Sequence, residues 1–144
     1  MRKEVFDKLI PYFKVDPRYH LIILDCGFGV LDNFKEQLPG RSVNIGICEQ
    51  AAVNIAMGLA INGKIPIIYS IMNFIVFRAL DQVRNIRDLN VKIIAYGKDN
   101  YFSFLGQSHT CDNKDIEIMK IVEMPVYEEF EPWINSDKAG YLRV

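Results

Sequence analysis

Apolar and polar positions alternate along this chain in two rhythms, and the places where one gives way to the other outline its elements. Val5, Leu9 and Tyr12 or Phe13 recur at helical spacing, with Pro11 and Pro17 bracketing the exit, which predicts an amphipathic helix over residues 2–14. "LIILDCG" (21–27) is a continuous β-prone run closed by Gly27, the profile of a strand buried on both faces of a parallel sheet. A short helix over 31–38, stopped by Pro39-Gly40, leads to a second strand in "SVNIGI" (42–47). From Gln50 onward Ala52, Ile55, Ala56 and Leu59 trace one helical face, and Asn62-Gly63 closes that helix. "IPIIYS" (65–70) is a third strand, residues 73–88 a helix that turns polar after Arg78, and "VKIIAYG" (91–97) a fourth strand. The next stretch, "KDNYFSFLGQSHTCD", carries turn formers and aromatics without a sustained period, the mark of a functional loop. "NKDIEIMKIV" then predicts a short helix capped by Asn113, "MPVYEEF" an extended piece, and "GYLRV" the last strand.

Strands alternating with helices through short connections predict an open α/β layer structure with a mainly parallel sheet. Internal repeats, low-complexity segments and linkers are absent, so residues 1–144 are expected to form a single domain. Ligands gather at the carboxyl ends of strands in such sheets, which is where Gly27, Glu49, Ser70 and Gly97 fall.

Composition sharpens this outline by exclusion. Half of the 144 residues are hydrophobic and 24% are charged, which argues for a packed domain and against disorder. A net charge of -1 offers no general attraction to phosphate backbones or anionic lipid, so no nucleic acid partner is expected. The apolar runs are interrupted by Asp25, Asn73 or glycine and fall short of a membrane span, while the N-terminus mixes acids and bases unlike a signal peptide. The expectation is a cytoplasmic protein with no membrane partner. Cys26, Cys48 and Cys111 lack the paired spacing of a zinc site and are expected to be small buried hydrophobes, with no metal site on this chain.

Two accounts of Glu49 stand side by side. A carboxylate in a first helical turn meets exposed N–H groups and the positive end of the helix dipole, worth up to about 1 kcal/mol. Ile45, Ile47, Cys48, Ala51 and Ala52 around it also predict few neighbouring charges and little water. Desolvation raises a carboxyl pKa, which lets such a group share a proton with a ligand nitrogen. Phe74 and Phe77, three apart with Ile71 before them, form either a core stripe or a stacking platform for a flat heteroaromatic ring. His109 lies in the long loop as a solvated group or a pocket wall, and no carboxylate stands at ligand spacing to it or to His20. Arg78 and Asp81 are expected to pair on the surface. Neither a Gly-rich phosphate loop nor a GxSxG elbow is present, so spacing alone reaches a ligand-binding α/β domain.

"RSVNIGICEQAAVNIAMGLAINGKIPIIYSIMNFIVFRALDQVRN" resembles the pyrimidine-binding domain of the transketolase family of thiamine-diphosphate enzymes. The shared features are a strand, a Glu-Gln helix start, "GLA…GK.P", and an aromatic segment running into "RALDQVRN". "VKIIAYG" and the later "LGQSH…D" are similar to the family's next strand and the loop that usually reads Asp-Gly-Pro-Thr-His, and "AGYLRV" to its closing strand. The resemblance implies the thiamine-diphosphate-binding fold, three layers of α/β/α around a mainly parallel central sheet, and thiamine diphosphate as cofactor. Glu49 matches the catalytic glutamate that bonds N1′ of the aminopyrimidine and promotes its imino tautomer. Phe74 and Phe77 match the aromatic segment enclosing that ring, Ile71 stands where many members place a stacking phenylalanine, and Asp25 joins these cofactor-binding positions. His109 matches a substrate-side histidine, implied here as catalytic and substrate-binding. Leu105 and Gln107 fall at substrate positions where sugar-phosphate enzymes usually carry aspartate and proline, and Gly29 where they can place a phosphate-contacting serine.

The family divides cofactor binding between two domains, and the diphosphate half holds a divalent metal with Gly-Asp-Gly followed by Asn-Asn. This sequence contains neither motif, and the family's third, C-terminal domain is expected to be lacking too. The implied protein is the pyrimidine-binding subunit of a split enzyme, resembling the C-terminal section of a split transketolase. A separate diphosphate-binding subunit carrying "GDG…NN" is expected to supply Mg2+ or Ca2+, with thiamine diphosphate shared at the interface of a heterotetramer. The implied reaction transfers a two-carbon ketol or related acyl unit between small-molecule substrates. A 2-oxo acid decarboxylase or acyloin-forming enzyme, or a non-catalytic assembly or regulatory domain, are the alternatives.

Overall fold

Alternate residues of the central strands enter opposite cores. The structure, a computed structural model, describes residues 2–144. Its strands are β1 (Tyr19–Ile23), β2 (Ser42–Asn44), β3 (Ile65–Ile71), β4 (Lys92–Tyr96), β5 (Val126–Tyr127) and β6 (Gly140–Arg143). They form one sheet in the order β2-β1-β3-β4-β6-β5, with every neighbouring pair parallel. The helices are α1 (Arg2–Val15), α2 (Asp32–Gln37), α3 (Glu49–Ile61), α4 (Met72–Arg78), α5 (Leu80–Asn85), α6 (Lys114–Ile121) and α7 (Phe130–Ile134). Leu21 and Ile23 of β1, with Ile67 and Tyr69 of β3, pack under α1, α2 and α7. Ile22, Ile68, Ile93 and Ala95 face the other way, against α3, α4, α5 and α6. Period-two burial on both faces is what a covered parallel sheet requires, and the result is three layers, α/β/α.

Several predicted elements take a different form. The helix expected over 73–88 is two, because Ala79 leaves helical geometry at φ -120 and ψ 22 between α4 and α5. The extended piece "MPVYEEF" holds only through Tyr127, after which Phe130 and Trp133 bury one face of the short α7 against the sheet. Asn113 precedes α6 but does not cap it; its backbone is left-handed and its side chain accepts a hydrogen bond from Arg143 Nη2 at 2.7 Å. β1 and β2 are shorter than their apolar runs, since Asp25 (φ 46) and Gly46 (φ 76) turn the chain out of the sheet. The connections from β1 leave in one direction to β2 and the return crosses to β3, opening a cleft at the carboxyl ends of β1 and β3.

Candidate functional site

Four segments meet above that edge: the turns after β1 and β2, the start of α4 after β3, and the loop after β4. Asn44 closes β2 with its side-chain oxygen, which accepts from the backbone N–H groups of Asp25 and Gly46, each at 3.0 Å. The chain then enters α3 through Cys48, which makes no side-chain cap, so Glu49 stands in an uncapped first turn. Glu49 is only 4% exposed, yet Arg78 Nη1 donates to its Oε1 at 2.9 Å. The Arg78 guanidinium lies 3.7 Å over the Phe74 ring, one helical turn earlier in α4. Its backbone is held as well, because Gln50 Nε2 donates to the Arg78 carbonyl at 3.0 Å. An open recess of about 380 Å³ lies here, lined by Ile47, Cys48, Glu49, Gln50, Ala51 and Arg78.

Phe74 also meets the His109 ring edge-on, with centroids 4.8 Å apart. His109 ends the second of two single-turn 3-10 segments, Ser103–Leu105 and Gln107–His109, that structure the long loop. Ser108 Oγ lies 2.9 Å from His109 Nδ1, and the Asn73 amide donates to the Ser108 carbonyl, joining loop and α4. The loop root is a reciprocal pair: Asn100 Nδ2 donates to Asp112 Oδ1 at 2.8 Å, and the Asp112 N–H donates to Asn100 Oδ1 at 2.9 Å. Asp99, Asn100, Asp112 and Asn113 all have left-handed backbones, which these residue types tolerate because their short side chains bond locally.

Glu49, Arg78, Phe74 and His109 therefore form one contiguous chain of contacts. The expectation of few charges near Glu49 does not hold, since a buried carboxylate is costly and Arg78 compensates it. Arg78 accordingly does not pair with Asp81, which bonds Arg84 instead. Phe74 is half-buried and Phe77 is 49% exposed, so neither belongs to the core. Ile71 is half-buried at the end of β3 and packs toward the α1 side of the sheet. Asp25, Leu105 and Gln107 are exposed on the surrounding loops and do not join the Glu49 contacts. Cys48 is exposed, against the expectation for all three cysteines, while Cys111 is buried and Cys26 half-buried. Burial pushes the Cys111 thiol up to about 11, with the nearby Asp115 carboxylate acting in the same direction. Among the described residues no cluster of His, Cys, Asp or Glu is placed to hold a metal ion, and no helix is long and apolar enough to cross a membrane. Arg78, Gln50, Asn44 and Asn73 join the site although their sequence positions do not mark them for it; the four-residue spacing from Phe74 to Arg78 is the one signal of their contact.

The model of the pyrimidine-binding domain of transketolase matches residues 12–100. The chain belongs to this family. As a transketolase pyrimidine-binding domain it is 32% identical over 135 residues to the 6-deoxy-6-sulfo-D-fructose transketolase subunit SqwH of Clostridium sp. (strain MSTE9), covering 89% of this chain and 41% of that protein. It is 35% identical over 130 residues to the putative transketolase C-terminal section of Methanocaldococcus jannaschii, covering 85% of this chain and 40% of that one. The chain thus spans well under half the length of these curated relatives. Among solved structures, a split gene transketolase described as an inactive beta4 tetramer superposes with TM-score 0.81 at 25% identity, over 99% of this domain and 49% of that chain. Transketolase from Leishmania mexicana shares the fold at TM-score 0.81 and 18% identity, over 99% of this domain and 24% of that chain.

Proposed function

We propose that this domain is the pyrimidine-binding half of a split, thiamine-diphosphate-dependent transketolase-like enzyme, with Glu49 as the group that bonds the cofactor's aminopyrimidine. The observation that carries the reading is a carboxylate 4% exposed, bound through one oxygen only, at an open recess beside the face of an aromatic ring. A buried carboxylate that faces an open recess can accept a hydrogen bond from a ring N–H of a ligand entering there. The donor set fits the group: Glu49 for a ring nitrogen and Phe74 for a flat π face. When bound, thiamine diphosphate supplies the electron sink for breaking and remaking a carbon–carbon bond. Glu49 holds the proton at the aminopyrimidine, while His109, positioned by Phe74 and Ser108, stands on the substrate side with Leu105 and Gln107.

The diphosphate and its Mg2+ or Ca2+ require a second domain, because Gly-Asp-Gly and Asn-Asn are absent from these residues. Relatives named as transketolase subunits favour a separate polypeptide, and a heterotetramer is the proposed assembly. Phe28, Ile47, Phe77, Phe104 and Leu105 are exposed at the carboxyl edge and form an apolar rim for that subunit to cover. Two-carbon ketol transfer in the cytoplasm is the proposed activity and setting. Replacing Glu49 with Gln in the complex with its partner is expected to lower kcat at least about 100-fold with assembly intact, as loss of a general acid–base group does. Undiminished turnover by the assembled variant refutes the proposal.

A further inference from the structure

Arg78 makes two contacts at once, an N–H to the Glu49 carboxylate at 2.9 Å and its guanidinium carbon 3.7 Å over the centre of the Phe74 ring. A protonated aminopyrimidine offers the same two features, a planar cationic π system with an in-plane N–H aimed at a carboxylate. A separation of 3.7 Å is already van der Waals contact, so guanidinium and heteroaromatic ring cannot share the place over Phe74. We infer that Arg78 is a placeholder for the cofactor's aminopyrimidine: its guanidinium occupies the seat between Phe74 and Glu49 until the ring arrives, then swings out. This rests on the reading of Glu49 above.

The local structure suits such an exchange. Gln50 pins the Arg78 carbonyl and Ala79 ends α4, so the backbone stays put while the side chain turns. The Arg78 side chain is 43% exposed and reaches Glu49 by a single hydrogen bond, so its release into solvent breaks only one contact to the carboxylate. Glu49, buried, needs a compensating cation whenever the seat is empty. Arg78 is thus a positioning residue that keeps the empty site folded and sets the competition the cofactor must overcome.

The test compares Arg78→Met, Arg78→Lys, Glu49→Gln and the double variant Glu49→Gln with Arg78→Met. Thermal unfolding of the chain alone should show Arg78→Met lowering Tm by about 4 °C or more, because a buried carboxylate loses its cation, with most of that recovered in the double variant. Calorimetric titration of thiamine diphosphate into the complex with its partner should show Arg78→Met binding at least about threefold more tightly, since no occupant has to be displaced. Arg78→Lys keeps the charge that supports folding but lacks the planar fork, so it should also tighten binding, and it serves if the Met variant does not fold. Weaker or unchanged cofactor binding in both Arg78 variants, with Glu49→Gln still impaired, overturns the placeholder and leaves the role of Glu49 standing. Unchanged binding and turnover in Glu49→Gln overturns both.

Discussion

Phe74 ranks with Glu49 among the side chains at this edge because two partners meet its ring. Its face carries the Arg78 guanidinium and the His109 ring packs against it at 67°, while it stays half-buried between α4 and the loop. Aromatic contacts of this kind are worth about 0.5–1.5 kcal/mol beyond area burial, a factor of roughly two to twelve in a binding constant. Phe74→Leu, which keeps an apolar side chain but removes the π face, is expected to weaken thiamine diphosphate binding to the complex by about fivefold in a calorimetric titration. Among the described residues Phe77 makes no ring or cation contact and it is 49% exposed, so Phe77→Leu should act through assembly with the proposed partner, read as a higher dissociation constant in sedimentation.

At the scale of elements, the long loop is a closed unit. Its ends are joined by the reciprocal Asn100–Asp112 pair, and Thr110 Oγ1 donates back to the Gly106 carbonyl at 3.0 Å, so His109 rides on a tethered segment. Asn100 sits at φ 55, where alanine is strained and glycine is not. Asn100→Ala should therefore lose both the hydrogen bonds and the relaxed backbone, about 1–3 kcal/mol together, whereas Asn100→Gly should lose less. Urea denaturation of the two variants separates strain from bonding; equal losses would assign the whole effect to the bonds. The Gln50 bond to Arg78 does the same work between α3 and α4, tying the Glu-Gln helix start to the end of the aromatic segment.

At the scale of the molecule, three buried charges sit away from the site and govern stability instead: the Asp115–Arg143 pair and Lys92. Asp115 is fully buried and accepts from Arg143 Nε at 2.7 Å and Tyr141 Oη at 3.3 Å, joining α6 to the final strand. Removing Asp115 takes away the buried partner of Arg143 and leaves it only the half-exposed Glu128 carboxylate, at 2.9 Å, so Asp115→Leu is expected to destabilise the chain by on the order of 3 kcal/mol in urea unfolding. Lys92, at the opposite end of the sheet, donates to the Ser136 and Lys138 carbonyls at 2.8 and 2.7 Å, and burial pushes its ammonium down to about 8 from 10.5. Between those values the unfolded chain keeps a proton that the folded chain has released, so this group makes stability rise with pH across that window. The Cys111 thiol, raised to about 11, works in the opposite sense above pH 9, so the difference between the chain and Lys92→Met isolates the lysine. That difference, measured by urea unfolding from pH 7 to 10, should change progressively through about pH 8 and upward.

Much of the fold was legible in the chain because two-sided burial leaves apolar runs: Leu21–Leu24, Ile65–Tyr69 and, interrupted only by Lys92, Val91–Tyr96 read as inner strands of a covered parallel sheet. Turn chemistry at Gly97 placed the end of β4, while β1 and β2 end before their apolar runs do, and the Glu-Gln helix start with its aromatic segment carried the family. The split at Ala79 and the short α7 were not legible, since single-turn breaks and five-residue helices are decided by packing against neighbours rather than by period. Arg78 shows the same division most clearly. Its sequence neighbours offered Asp81 as a partner at helical spacing, yet tertiary structure brought it to Glu49, 29 residues earlier. The sequence by itself determined which residues could be strands, helices and an ionisable group at a strand's end. Only the tertiary structure decided which charge met which, because the low solvent exposure of Glu49 made its compensation worth more than any surface pair.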